Sequence, residues 1–155
     1  MRLALTAALA ASLTALVLSA PVSASPPEAA SGIFTQVSIN LTFVKQVDGN
    51  TFFTDHDFAD YSGTFTGSHV YDGTTEVFKD GSISSHGIAT FTGTVTGCGT
   101  GTVVFEVNIS ADPSGTFTKA HIQALFNKGT LPLHASLDLH GVLGSPAPYT
   151  GSYSC

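Results

Sequence analysis

The stretch "FTGTVTGCGTGTVVFEV" spans Phe91 to Val107 and crowds its glycines and threonines around a single cysteine. Such a segment fits a phosphate-cradling loop, a metal site or a β-hairpin. Periodicity separates the three. Phe91, Gly93 and Val95 share one face, while Thr90, Thr92, Thr94 and Thr96 share the other. Beyond Gly97-Cys98-Gly99 the alternation resumes, with Val103, Phe105, Val107 and Ile109 set against Val104, Glu106, Asn108 and Ser110. A period of two belongs to strands. A phosphate loop opens a helix after its glycines and usually carries a lysine there, and neither follows. Zinc needs further soft ligands near Cys98, and none is close in sequence. The stretch therefore reads as strand, tight turn, strand, with Cys98 in a structural role.

The same alternation extends in both directions. In "VSINLTF", Val37, Ile39, Leu41 and Phe43 fall on one face. Asp48-Gly49, Asp72-Gly73 and Asp80-Gly81 are hairpin signals, because a type I′ turn needs positive φ at both central residues. "DPSG" (Asp112 to Gly115) makes another turn, a strand covers Thr116 to Phe126, and "NKG" (Asn127 to Gly129) turns again. Leu131, Leu133, Ala135, Leu137 and Leu139 then alternate with polar residues, and a last short strand lies around Tyr149 to Tyr153. The chain is all-β, with about eight strands, each apolar on one face, and no helix to cover them. Closure into a small antiparallel barrel removes exposed edges and is the first expectation; a β-sandwich is the second.

The first residues differ from the rest. Arg2, the apolar run Leu3 to Leu18 and the small-residue site Val22-Ser23-Ala24 predict a signal peptide over residues 1–24, hence a secreted protein. Residues 25–31 read as a disordered leader, and 32–155 as the barrel domain. The full chain of 155 residues carries a net charge of −6; loss of Arg2 leaves four lysines against eleven acidic residues, or −7. That charge disfavours nucleic acid and anionic membranes as partners. Export makes a Cys98–Cys155 disulfide possible, and by loop entropy such a bridge stabilises by roughly 4 kcal/mol.

Three constellations carry candidate chemistry. His134, Ser136, Asp138 and His140 share one strand face, yet the leucines between them claim the core, so the polar set is assigned to solvent. Asp55 and Asp57 share a face that suits a hard cation but is read as a charged outer face, with His56 opposite and turned inward; no metal site is assigned. Phe65, His69 and Tyr71 share an apolar face. With His56 they form the candidate ligand site, an apolar interior with a few polar groups. Gly67 in the same row is expected to leave room for a ligand.

The pieces "GTFTG" (Gly63 to Gly67), "GIATFTGTVTGCGTGT" (Gly87 to Thr102), "GTF" (Gly115 to Phe117) and "YTGSY" (Tyr149 to Tyr153) recur without a fixed period. This pattern resembles the secreted bacterial proteins of the allene oxide cyclase barrel-like group, in particular their domain family of unknown function. The resemblance covers about Gly32 to Tyr153 and implies an eight-stranded antiparallel barrel. It also implies chemistry without a cofactor, since relatives of that architecture cyclise or guide reactive small molecules. No catalytic motif matches residue by residue, and no active site carries over. Three functions follow as expectations: a secreted barrel binding an apolar small molecule, a cofactor-independent cyclase or isomerase, and a surface-acting protein with a filled barrel.

Overall fold

A computed structural model describes residues 26–155. The signal-peptide expectation, residues 1–24, lies outside the described residues. Those described form nine strands: β1 (Glu28–Ser38), β2 (Leu41–Val47), β3 (Asn50–Gly63), β4 (Phe65–Val77), β5 (Ile83–Val95), β6 (Gly99–Ala111), β7 (Phe117–Gly129), β8 (His134–Leu139) and β9 (Ala147–Ser154). Every pairing is antiparallel, and the order β1-β9-β8-β7-β6-β5-β4-β3 closes through a β1–β3 pairing. The result is a closed eight-stranded barrel with β2 as an added strand, and the sandwich alternative falls.

β2 is collinear with β1. β3 pairs with β1 through its second half, from Phe58 to Gly63, and with β2 through its first, from Asn50 to Asp55. Asn40 stitches the gap between β1 and β2: its side-chain amide donates to the His56 carbonyl at 2.9 Å, and its own carbonyl accepts from the His56 amide at 3.1 Å.

The opening stretch is the β5–β6 hairpin, with Phe91 opposite Val103 and Val95 opposite Gly99. The Cys98 amide donates to the Val95 carbonyl at 3.0 Å to close the turn. Asp48 and Gly49 take φ of 51° and 86°, as a type I′ turn requires.

Three local expectations need correction. Asp72-Gly73 is no turn but lies inside β4, where the Tyr71 ring covers Gly73 and Gly87 and a side chain at either would collide with it. Asn127 to Gly129 does not turn either: β7 continues to Gly129 through a wide bulge at Asn127, φ 60°. The leader expected over 25–31 is in strand from Glu28 onward, because Ala30 packs into the core at 3% exposure and the Glu28 carboxylate accepts from the Tyr153 hydroxyl at 2.9 Å.

One end of the bore is filled by aromatic rings. Tyr61, Phe65, Phe91, Phe105 and Tyr149 are all buried. Phe91 meets Tyr61 and Phe65 edge-on, with centroids 5.7 Å apart in each pair. Edge-to-face packing aligns the positive ring edge with the negative face. The Tyr149 hydroxyl accepts from the Phe65 amide at 3.0 Å and donates to the Ser62 carbonyl at 3.1 Å, locking β9 to the β3–β4 corner. Gly67 makes no ligand space: a β-carbon there would strike the Thr92 carbonyl, so Gly67 and its partner Gly93 let β4 and β5 close up. On this rim the Cys98–Cys155 disulfide joins the β5–β6 turn to the C-terminus, with Cα atoms 5.7 Å apart.

Candidate functional site

The other end of the bore, under the β4–β5, β6–β7 and β8–β9 connections, holds a cavity of about 150 Å³. Its floor is the edge of the aromatic plug. The His69 ring sits 5.3 Å from Phe34 and 5.4 Å from Tyr61, and Phe34 and Tyr61 meet edge-on at 5.3 Å. Its walls are largely apolar, from Val107, Ile109, Phe117 and Ile122; Ile39, Leu41 and Leu143 also line it.

The buried polar part of the wall comes from three strands. Asp55 and Asp57 of β3 point inward and are buried, as are Thr75 of β4 and Ser85 of β5. Parity dictates this, because Asp55, Asp57, Ala59 and Tyr61 occupy alternate positions and the last two are core. Opposite Asp55 stands Gly73, and opposite His69 stands Ala59, so a small residue faces each of these two.

Asp57 is satisfied from β1 and the link that follows it: the Gln36 side-chain amide donates to Oδ2 at 2.8 Å and the Asn40 backbone amide to Oδ1 at 2.9 Å. Asp55 ends a line of hydroxyls. Tyr71 lies 2.8 Å from Ser85, Ser85 2.9 Å from Thr75, and Thr75 2.8 Å from Asp55 Oδ2. A threonine hydroxyl has one proton. With Thr75 donating to Asp55, Ser85 donates to Thr75 and accepts from Tyr71, and the bonds all run one way. Asp55 Oδ1 and His69 Nδ1 are buried without a partner, as is the Tyr61 hydroxyl within the plug.

These surroundings move three titrations. Burial, then the neighbouring Asp57 carboxylate, push the Asp55 carboxyl up to about 7, against the lowering effect of Thr75. Burial pulls His69 down to about 4, against the attraction of Asp57, so its imidazole is neutral at pH 7. Burial also raises the Tyr71 phenol to about 12, against its bond with Ser85. A carboxyl that titrates near neutrality beside an apolar cavity is equipped to exchange a proton with a bound molecule.

Of the residues singled out from sequence, Phe65, His69 and Tyr71 all face inward from β4, but only His69 and Tyr71 reach the cavity; Phe65 belongs to the plug. His56 does not join them. Its ring is outside, half-exposed, with Nδ1 2.6 Å from Asp72 Oδ1 and a T-shaped contact to Phe58 at 5.0 Å between centroids. The sequence reading inverted this strand because it placed two carboxylates in solvent on general burial preference. The signal that identifies the true face is the parity of Ala59 and Tyr61. Thr75 and Ser85 escaped notice because the presumed turn at Asp72-Gly73 cut β4 short of Thr75. His134, Asp138 and His140 are exposed, as the leucine pattern requires, and Asp138 lies 2.7 Å from His121 Nδ1. No group of three or more His, Cys, Asp or Glu side chains among the described residues has metal-holding geometry.

No protein-family model and no curated protein matches the chain. Among solved structures, it is similar to a protein of unknown function from the DUF3224 family of Shewanella oneidensis MR-1. The two are 15% identical with a TM-score of 0.63, over 83% of this chain and 97% of that one. At that identity the likeness is one of fold: a small β-barrel.

Proposed function

We propose that this is a secreted barrel that binds a small, mainly apolar molecule in the open end of its bore. The observation that carries the reading is the cavity of about 150 Å³ with a mostly apolar wall and a few polar side chains on one side. Cavities of about this size accommodate a benzene-sized molecule, and apolar concavities with few polar groups are the usual form of ligand sites. The cavity favours binding over the reading of a filled, surface-acting barrel. The disulfide supports the secreted location, since such bridges persist in oxidising compartments.

Toluene titration followed by amide NMR tests the reading. Saturable shifts are expected at Phe34, His69, Tyr71 and Ile109, with little change at Phe65 and Tyr149. A spectrum unmoved up to toluene saturation would sink it.

A second reading, a cofactor-independent isomerase, is favoured by one specific feature: Asp55, titrating near 7 at the end of the Tyr71–Ser85–Thr75 line. The motif resemblance to allene oxide cyclase barrel-like proteins points the same way. Faster exchange of the α-protons of cyclohexanone in deuterated water, lost in Asp55→Asn, is the expected sign. Exchange at the buffer rate excludes this activity toward ring-sized ketones.

A further inference from the structure

The cavity wall is chemically one-sided. It contains two carboxyl groups, Asp55 and Asp57, and no lysine or arginine. Its histidine, His69, is 4% exposed and lacks a partner at Nδ1. Asp55 is 8% exposed and lacks a partner at Oδ1. A buried polar atom left unpaired is costly, so each is a standing demand for a hydrogen bond. Both residues line the cavity. Ionised, the Asp55 carboxylate can only accept, and a cation beside it favours that form; His69 in the tautomer with its proton on Nε2 accepts at Nδ1. Both demands are met by a ligand that brings several donors on one atom. Phe34, Tyr71 and Phe117 also line the cavity, and aromatic rings attract a cation.

Resting on the binding reading above, we infer that the ligand is a small amine: a ring-sized apolar body carrying an ammonium group that sits against Asp55 and His69, beside Asp57. One –NH3+ supplies three donors and offsets the negative charge of the carboxyl pair. An alcohol supplies a single donor and no charge. A carboxylate ligand adds a further anion to a wall that has no cation to receive it, and is rejected.

Four probes of matched size separate the possibilities: benzylamine, benzyl alcohol, toluene and benzoate, titrated calorimetrically at pH 7. The inference expects benzylamine to bind about tenfold or more tightly than toluene or benzyl alcohol, the increment of a charge-assisted hydrogen bond, and benzoate to bind most weakly. Asp55→Asn should cut the benzylamine affinity about tenfold and leave toluene within about twofold, so that toluene reports an intact cavity. Benzoate or benzyl alcohol equalling benzylamine would overturn the amine assignment while leaving the binding reading in place. Failure of all four, toluene included, would overturn both. The wild-type series decides the charge class even where the variant does not fold.

Discussion

The two ends of the barrel are built from the same strands by the same alternation, yet one is solid and the other hollow. At the closed end, inward positions of β3, β4, β5, β6 and β9 carry Tyr61, Phe65, Phe91, Phe105 and Tyr149. Large rings packed edge-on consume the bore of an eight-stranded barrel. At the open end the same β3, β4 and β5 carry Asp55, Asp57, Thr75 and Ser85 inward. Short polar side chains fill less volume and bond laterally to one another. The contrast teaches that interior volume here is set by side-chain size along each strand, while interior chemistry is set by which polar groups find partners across strands.

The largest test of the contrast is truncation at each end. Phe91→Ala removes a fully buried ring and should cost about 3–5 kcal/mol in urea unfolding. Leu143→Ala, at the cavity wall and only half-buried, should cost less than about 1 kcal/mol. Equal costs would mean that the open end is packed like the closed one, and the comparison would break.

Next in size is the bridge. Replacing Cys98 and Cys155 by serine should lower stability by about 2–4 kcal/mol, since the bond spans 57 residues. Amide exchange should accelerate first at the rim around Val95 and Ser154. Acceleration centred on the cavity instead would show that the disulfide supports the open end.

A smaller effect concerns pH. Asp55 titrates at about 7 in the fold against an ordinary 3.8, so its contribution is full below pH 3.8 and is lost as pH rises through 7. His69 titrates at about 4 against 6.5, so its contribution is full above pH 6.5 and is lost as pH falls through 4. Between these limits the two slopes oppose, each at most about 1.4 kcal/mol per pH unit. Asp55→Asn should leave stability rising from pH 4 to 6.5, and His69→Gln should leave it falling from pH 4 to 7. Urea midpoints across that range read both slopes directly. Two variants with the wild-type profile would mean that neither group is held in the protonation state its burial demands.

The smallest effect is expected outside the barrel. Asp138 contacts His121 at 2.7 Å, but the carboxylate is well exposed. Asp138→Asn should change stability by less than about 1 kcal/mol, and thermal melts at low and high salt should bracket it. A larger loss would place this outer pair on a par with the buried polar network.

Legibility followed the same divide. The β5–β6 hairpin, the inward row Val103, Phe105, Val107 and the inward His69 and Tyr71 came from alternation within single strands. Asp55 and Asp57 did not, because a local pattern of Asp-His-Asp is consistent with either face. Their neighbours in sequence include nothing that satisfies a buried carboxylate. The groups that do so are 17 to 21 residues away in sequence: Asn40 and Gln36 for Asp57, Thr75 for Asp55. Gly73 misled for a similar reason. Asp-Gly is a turn by local conformational preference, but the need at this position is for a bare backbone beneath the Tyr71 ring.

What the sequence by itself determined is the class of the structure: alternating β-branched and aromatic residues, interrupted by Asp-Gly and Gly-rich turns, permit strands and hairpins and little else, because both signals act within a few residues. Only the tertiary structure decided that the sheet closes through β1 and β3, that the plug occupies one end, and that two carboxyl groups belong inside the other. Burying a carboxylate is costly in isolation and tolerable with donors at hand, and those donors are brought to β3 by the closing strand β1, the Asn40 link that follows it and the neighbouring β4, whose arrival no local pattern encodes.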